Sequence, residues 1–202
     1  MGGSLQMEKQ NVENKIKIAL IYGSTRAGRF CDKVAAWAAK QISTNDNFAL
    51  DVIDPALPSV RVAGVANDTF DGAWLRQHVG DADAFIVVTP EYNHGYPAAL
   101  KSLIDSVGAE WQAKPVAFVS YGGLSGGIRA VEQLRQVFAE LHAVTIRDSV
   151  TFAMAWEQFD ADGAPKNPGR AERQMQTLLK RLLWWAKALR EARHATPYAP
   201  AA

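Results

Sequence analysis

Two hydrophobic periods take turns along this chain. Residues 15–22 start polar and become apolar, and read as a first strand. From Gly28 the residues Val34, Trp37, Ala38, Gln41 and Ile42 recur near helical spacing, which predicts a first helix. Residues 48–54 alternate apolar and polar as a second strand. Residues 55–67 are irregular, and a helix over 69–79 is stopped by Gly80. Residues 84–89 are continuously apolar and β-branched, the mark of a central parallel strand covered on both faces, and Pro90 ends it. Pro97 opens a helix through Ser106, where its missing N–H costs least. Residues 115–121 predict a fourth strand, 128–141 a helix and 144–152 a fifth strand. Residues 169–193 form a long amphipathic helix with Met175, Leu178, Leu179, Leu182, Ala186 and Leu189 on one face.

Strands alternating with helices imply a parallel sheet with helices on both sides. Ligands in such sheets bind beyond the carboxyl ends of the strands. That rule gathers three loops, at 23–29, 90–96 and 120–127, each following one of the most apolar strands.

Composition narrows the class further. A chain of 202 residues, 48% apolar and 21% charged, suits one α/β domain with a sizeable core. Residues 1–14 read as a disordered tail, 15–194 as the domain and 195–202 as a second tail. A formal net charge of +1 gives no reason to expect nucleic acid or a membrane as partner, and no apolar run reaches membrane-spanning length. The single cysteine, Cys31, rules out an internal disulfide framework and fits a cytoplasmic location. His78, His94, His142 and His194 show no ligand spacing, so no metal is expected.

The first loop, Gly23-Ser24-Thr25-Arg26-Ala27-Gly28-Arg29, leads from a strand into a helix. Free N–H groups at a helix start suit a phosphate, and the hydroxyls of Ser24 and Thr25 and the guanidinium groups of Arg26 and Arg29 add donors. Gly23 and Gly28 have P-loop spacing, but Arg29-Phe30 stands where Lys-Ser/Thr is required; Thr25 breaks the dinucleotide fingerprint. One terminal phosphate of a mononucleotide fits better, and a capped turn is the alternative. The second loop, Thr89-Pro90-Glu91-Tyr92-Asn93-His94-Gly95-Tyr96-Pro97, can fix backbone donors and acceptors against the edge of a heterocycle. The third, Ser120-Tyr121-Gly122-Gly123-Leu124-Ser125-Gly126-Gly127, has glycines that admit a flat ligand close to the backbone.

These three segments resemble the signatures of the NADPH-dependent FMN reductase family over residues 16–152. The resemblance implies a flavodoxin-like three-layer sandwich with a five-stranded parallel sheet of order 2-1-3-4-5. It implies FMN as cofactor, with phosphate at Ser24, Arg26, Arg29 and Phe30. The ring would lie against Pro90, Glu91, Tyr92 and Asn93, with Ser120, Tyr121 and Gly122 on the other side. It implies hydride transfer from NADPH, or NADH, through the flavin to a small acceptor: a quinone, azo compound, metal oxyanion or free flavin. A homodimer or homotetramer is expected.

With the flavin carrying the chemistry, no side-chain nucleophile is required. His94 is a candidate proton donor or a turn residue, and Glu91 a base or a loop anchor. Cys31 near a helix start is either a lowered-pKa thiol or a small packing residue. Trp111, after the third helix, is a candidate roof for the flavin, and Trp184 and Trp185 read as packing or interface residues. A flavodoxin-type electron carrier is the rival from another class; the near-neutral charge argues against it.

Overall fold

The computed structural model describes residues 15–57, 60 and 72–198. The elements are β1 (Ile16–Tyr22), α1 (Cys31–Ser43), β2 (Phe48–Ile53), α2 (Ala73–Asp81), β3 (Ala84–Pro90), α3 (Ala98–Asp105), a 3-10 turn (Ala109–Trp111), β4 (Pro115–Tyr121), α4 (Ile128–Glu140), β5 (Val144–Phe152), α5 (Ala155–Gln158) and α6 (Pro168–Ala195). All five strands pair in parallel in the order β2-β1-β3-β4-β5, the flavodoxin-like arrangement expected. The expected tail at 1–14 and most of the irregular 55–67 stretch lie outside the described residues.

Strand alternation divides the core in two. Ile16, Ile18 and Leu20 of β1 and Ala84, Ile86 and Val88 of β3 point toward α1 and α6. Ala19, Ile21, Phe85 and Val87 point toward α2, α3 and α4. The central strands β3 and β4 are buried along their whole length, so their apolar runs need no polar face. Among the described residues no helix is long and apolar enough to cross a membrane.

Two element ends and one whole element differ from the sequence reading. The first helix begins at Cys31, because Gly28 has a left-handed φ of 65° and stays in the loop. Gly80 does not stop α2, which runs on to Asp81; the chain turns extended at Ala82. The short α5 was not foreseen. Trp185 packs partly against the core, whereas Trp184 is exposed.

Lys114 fastens the end of α2. It is buried at the start of β4, and its Nζ donates to the carbonyls of Val79 (2.8 Å) and Gly80 (2.7 Å). Burial, and then the nearby positive charge of Arg193, pulls its pKa down to about 8. The unfolded chain therefore holds this proton more tightly than the folded one. Stability should rise with pH between about 8 and the ordinary lysine value near 10.4, by at most about 1.4 kcal/mol per pH unit. Urea unfolding across that window should show wild type gaining on Lys114→Met; parallel curves would refute the assignment.

Candidate functional site

The carboxyl ends of β1, β3 and β4 lie side by side, with Tyr22 opposite Val88 and Pro90 opposite Tyr121. At the usual strand spacing the three loops that follow them share a mouth about 10 Å wide. Gly23 makes the first approach possible. Its N–H donates to the Val88 carbonyl at 2.8 Å, and a Cβ there would stand 2.6 Å from that same oxygen.

Beyond Gly23, the buried Ser24 hydroxyl lies 2.7 Å from the Tyr92 hydroxyl, joining the first loop to the second. The exposed Arg26 guanidinium stacks 3.6 Å over the Tyr92 ring, a cation–π contact. Among the described residues the N–H groups of Ala27, Gly28 and Phe30 meet no protein acceptor, and they crowd the start of α1. Arg29 behaves differently from Arg26. Its guanidinium turns inward, with Nη1 donating to Asp54 Oδ1 at 2.7 Å, Nη2 to Asp54 Oδ2, Nε to Asp32 at 2.8 Å, and Nη1 also to the Ser24 carbonyl. The hydrogen bonds to Asp54 drive the Arg29 pKa upward. Burial opposes ionisation of Asp54, yet the Arg29 and Ala56 donors hold its carboxyl below the usual value. Phe30 is half-buried, its ring 6.0 Å from Tyr121 and 5.5 Å from Phe159.

The second loop is a tight turn. Tyr92 and Gly95 exchange N–H···O bonds of 2.9 and 3.0 Å around Asn93 (φ 50°) and His94 (φ 69°). Asn and His are among the side chains that tolerate this left-handed geometry. The exposed His94 is thus a turn residue, and its carbonyl accepts from Gln133 at 3.0 Å. Pro90 is buried at the end of β3. Glu91 anchors the loop to α4: its carboxylate accepts Arg129 Nε at 2.6 Å and the Arg129 backbone N–H at 3.1 Å. Burial raises the Glu91 pKa, but hydrogen bonds from Arg129 and Ser125 outweigh it and hold the group ionised.

In the third loop the side chains of Ser120 and Tyr121 face away from the mouth. The Ser120 hydroxyl is buried 3.3 Å from that of Thr151. The Tyr121 ring lies in the core, where burial and then Cys31 push its pKa up. These two residues present backbone only. Gly126 and Gly127 serve the protein's own packing: with φ of 62° and 88°, added Cβ atoms would stand 2.5 Å from Thr151 Cγ2 and 2.9 Å from Ser120 Cβ. Gly122 and Gly123 are the partly exposed pair, and the N–H groups of Gly123, Leu124 and Ser125 have no acceptor among the described residues.

A fourth wall was not anticipated. After β5 the chain folds back over the mouth: the N–H groups of Met154 and Ala155 donate to Gly123 (2.8 Å) and Gly122 (3.1 Å). Phe159 packs on Phe30, and Lys33 Nζ holds the carbonyls of Asp160 and Ala161 at 2.9 and 3.0 Å. The aromatic spacing of Phe152, Trp156 and Phe159 just past a strand end was the available signal. At two tempting residues the structure decides: one is a correction, and the other takes its packing alternative. Trp111 is fully buried against Phe85 and Phe138, and cannot roof a ligand. Cys31 is fully buried, and burial drives its thiol pKa up, opposite to the effect of an exposed helix start.

Free N–H groups and Arg26 at one end, with open glycine backbone and a rigid turn at the other, suit a flat heterocycle bearing one phosphate. Comparison with known proteins points the same way. The model of a family described as NADPH-dependent FMN reductase matches residues 16–157. The chain is 38% identical over 132 residues to an NAD(P)H-dependent FMN reductase of Schizosaccharomyces pombe, an alignment covering 60% of this chain and 64% of that protein. It is 31% identical over 178 residues to an NAD(P)H:quinone oxidoreductase of Solanum tuberosum, covering 81% and 90%. The solved flavoenzyme NAD(P)H:(acceptor) oxidoreductase of Paracoccus denitrificans has the same fold, with a TM-score of 0.67 at 20% identity over 86% of this chain and 98% of that one.

Proposed function

The chain belongs to the NADPH-dependent FMN reductase family, and from that premise we propose that it binds FMN across the three loops and moves electrons from NAD(P)H to a quinone or similar small acceptor. The observation that carries this reading is the placement of unpaired N–H groups and Arg26 at the end of β1 and of the partly exposed Gly122–Gly123 backbone at the end of β4, on either side of β3. Bound FMN supplies the two-electron chemistry. The chain supplies position. The start of α1, with its free N–H groups and Arg26, holds the phosphate, and Ser24 fixes that loop through Tyr92. The Pro90–Asn93 backbone lies along one side of the ring system, and that of Ser120, Tyr121 and Gly122 along the other. Arg29 and Phe30 shape the phosphate loop from beneath, and Glu91 ties the second loop to α4.

In the net reaction NADPH gives up a hydride, and a quinone gains two electrons and two protons to become a hydroquinone; the second proton comes from solvent. NADPH is the proposed donor, with NADH as the alternative. The proposed assembly is a homodimer or homotetramer, supported by the exposed Trp184 on α6, and the proposed location is the cytoplasm.

The test is an anaerobic titration of the FMN-loaded protein. NADPH should bleach the flavin, and a quinone should restore it. Arg26→Ala should weaken FMN binding about tenfold or more, because a charge-assisted bond contributes about 1.5–3 kcal/mol. Flavin that binds but is not reduced by NADPH would leave an electron carrier in place of an enzyme.

A further inference from the structure

Large apolar side chains rarely stand in water without a reason when they cluster at a site. Two do so at the third loop: Leu124 is 91% exposed and Trp156 is 56% exposed. Trp156 does not hang freely. Met154 adopts a left-handed φ of 46°, uncommon for a side chain of its size, and so turns the chain at the start of α5. The backbone bonds from Met154 to Gly123 and from Ala155 to Gly122 then lock α5 onto the loop. The tip of the indole, Cη2, lies 3.6 Å from where a Cβ on Gly123 would be. The ring thus stands at the border of the partly exposed Gly122–Gly123 backbone with much of its surface free.

We infer that Trp156 and Leu124 form the acceptor-binding lip of the site, an aromatic platform for a flat, uncharged ring such as a quinone. The inference rests on the function proposed above and adds to it the element that selects the acceptor. The patch is too small for a second copy of the chain: a stable interface takes about 800 Å² per partner, whereas one aromatic and one aliphatic side chain offer a few hundred. A quinone ring matches that area, and offset stacking on an indole suits its shape. Among the described residues no hydrogen bond or ring contact joins Leu124 or Trp156 to the phosphate cradle or the Pro90–Asn93 turn, so loss of the lip should leave cofactor binding alone.

The experiment uses full-length FMN-loaded wild type, Trp156→Ala and Trp156→Phe. Trp156→Ala should raise KM for a 1,4-naphthoquinone about tenfold, and Trp156→Phe should recover most of it. The rate of flavin bleaching by NADPH and turnover with ferricyanide, which needs no stacking platform, should stay within about twofold. Calorimetric titration of the oxidised protein with 1-naphthol, a ring of similar shape that accepts no electrons from the flavin, should weaken in parallel. An unchanged KM with unchanged 1-naphthol binding overturns the lip. So does a change of oligomeric state in Trp156→Ala on size-exclusion chromatography that accounts for the kinetic loss. If NADPH bleaches no variant and not the wild type, the functional reading falls, and the 1-naphthol titration still decides whether the platform exists.

Discussion

Asp54→Ala should destabilise the protein by about 3–5 kcal/mol, although Asp54 belongs to none of the three loops. The substitution strands the Arg29 guanidinium, whose side chain is only 9% exposed and whose chief partner is a carboxylate of 10% exposure. Arg29 also donates to Asp32 and to the Ser24 carbonyl, so the first loop loses the post around which it is folded. FMN affinity should fall with it, indirectly. The double variant Arg29→Met/Asp54→Ala should be less destabilised than Asp54→Ala alone, since no charge is then left buried. Arg26→Ala should show the reverse pattern, a stability change within about 0.5 kcal/mol with a marked loss of FMN. The pH dependence has a fixed sign. The Asp54 pKa is depressed in the fold, so its contribution is complete above the ordinary carboxylate range and disappears as pH falls through the lowered value. Urea unfolding and FMN titration of the four proteins check this. Asp54→Ala with intact stability and selectively lost FMN would mean that Arg29 faces the ligand after all.

The contrast between Arg26 and Arg29 shows where sequence reading reaches its limit. The strands, the layers and the three loops follow from hydrophobic period and from the rule about strand ends, because burial of whole strands leaves a mark in every second residue or in continuous runs; the strand order leaves none and is implied only by the family resemblance. Which donors in a loop the protein itself consumes leaves no such mark. Arg29 meets Asp54 across 25 positions, and Ser24 meets Tyr92 across 68. The same holds for glycine. Gly122 and Gly123 are partly exposed, while Gly126 is pressed against Thr151 of β5 and Ala153 beyond it and Gly127 against Ser120 and Tyr121 of β4, yet all four look alike in a Gly-rich run. The fold-back of α5 was hidden for another reason. Four residues are too few for a helical period, and their position depends on backbone bonds to Gly122 and Gly123 that any side chains could have made.

Trp111→Ala is expected to cost about 3–5 kcal/mol and to leave FMN affinity unchanged when measured well below the unfolding transition. The indole is fully buried, 4.7 Å from the Phe85 ring and 5.4 Å from that of Phe138. Its position has a local cause. α3 ends at Asp105, and the carbonyls near its end need donors; the Trp111 Nε1 reaches both Ile104 and Val107 at 3.1 Å. The 3-10 turn at Ala109–Trp111 bends the chain inward to make that possible. Trp111→Phe separates the two contributions: it keeps most of the ring volume but removes the donor, for a loss of about 1 kcal/mol plus any cost of the unpaired carbonyls. Alanine removes both and leaves a cavity between β3 and α4. A raised FMN dissociation constant in Trp111→Phe at wild-type stability would return this residue to the ligand site. The opposite result, two variants that lose stability in the order phenylalanine then alanine with flavin binding untouched, would fix it as the core residue that closes α3.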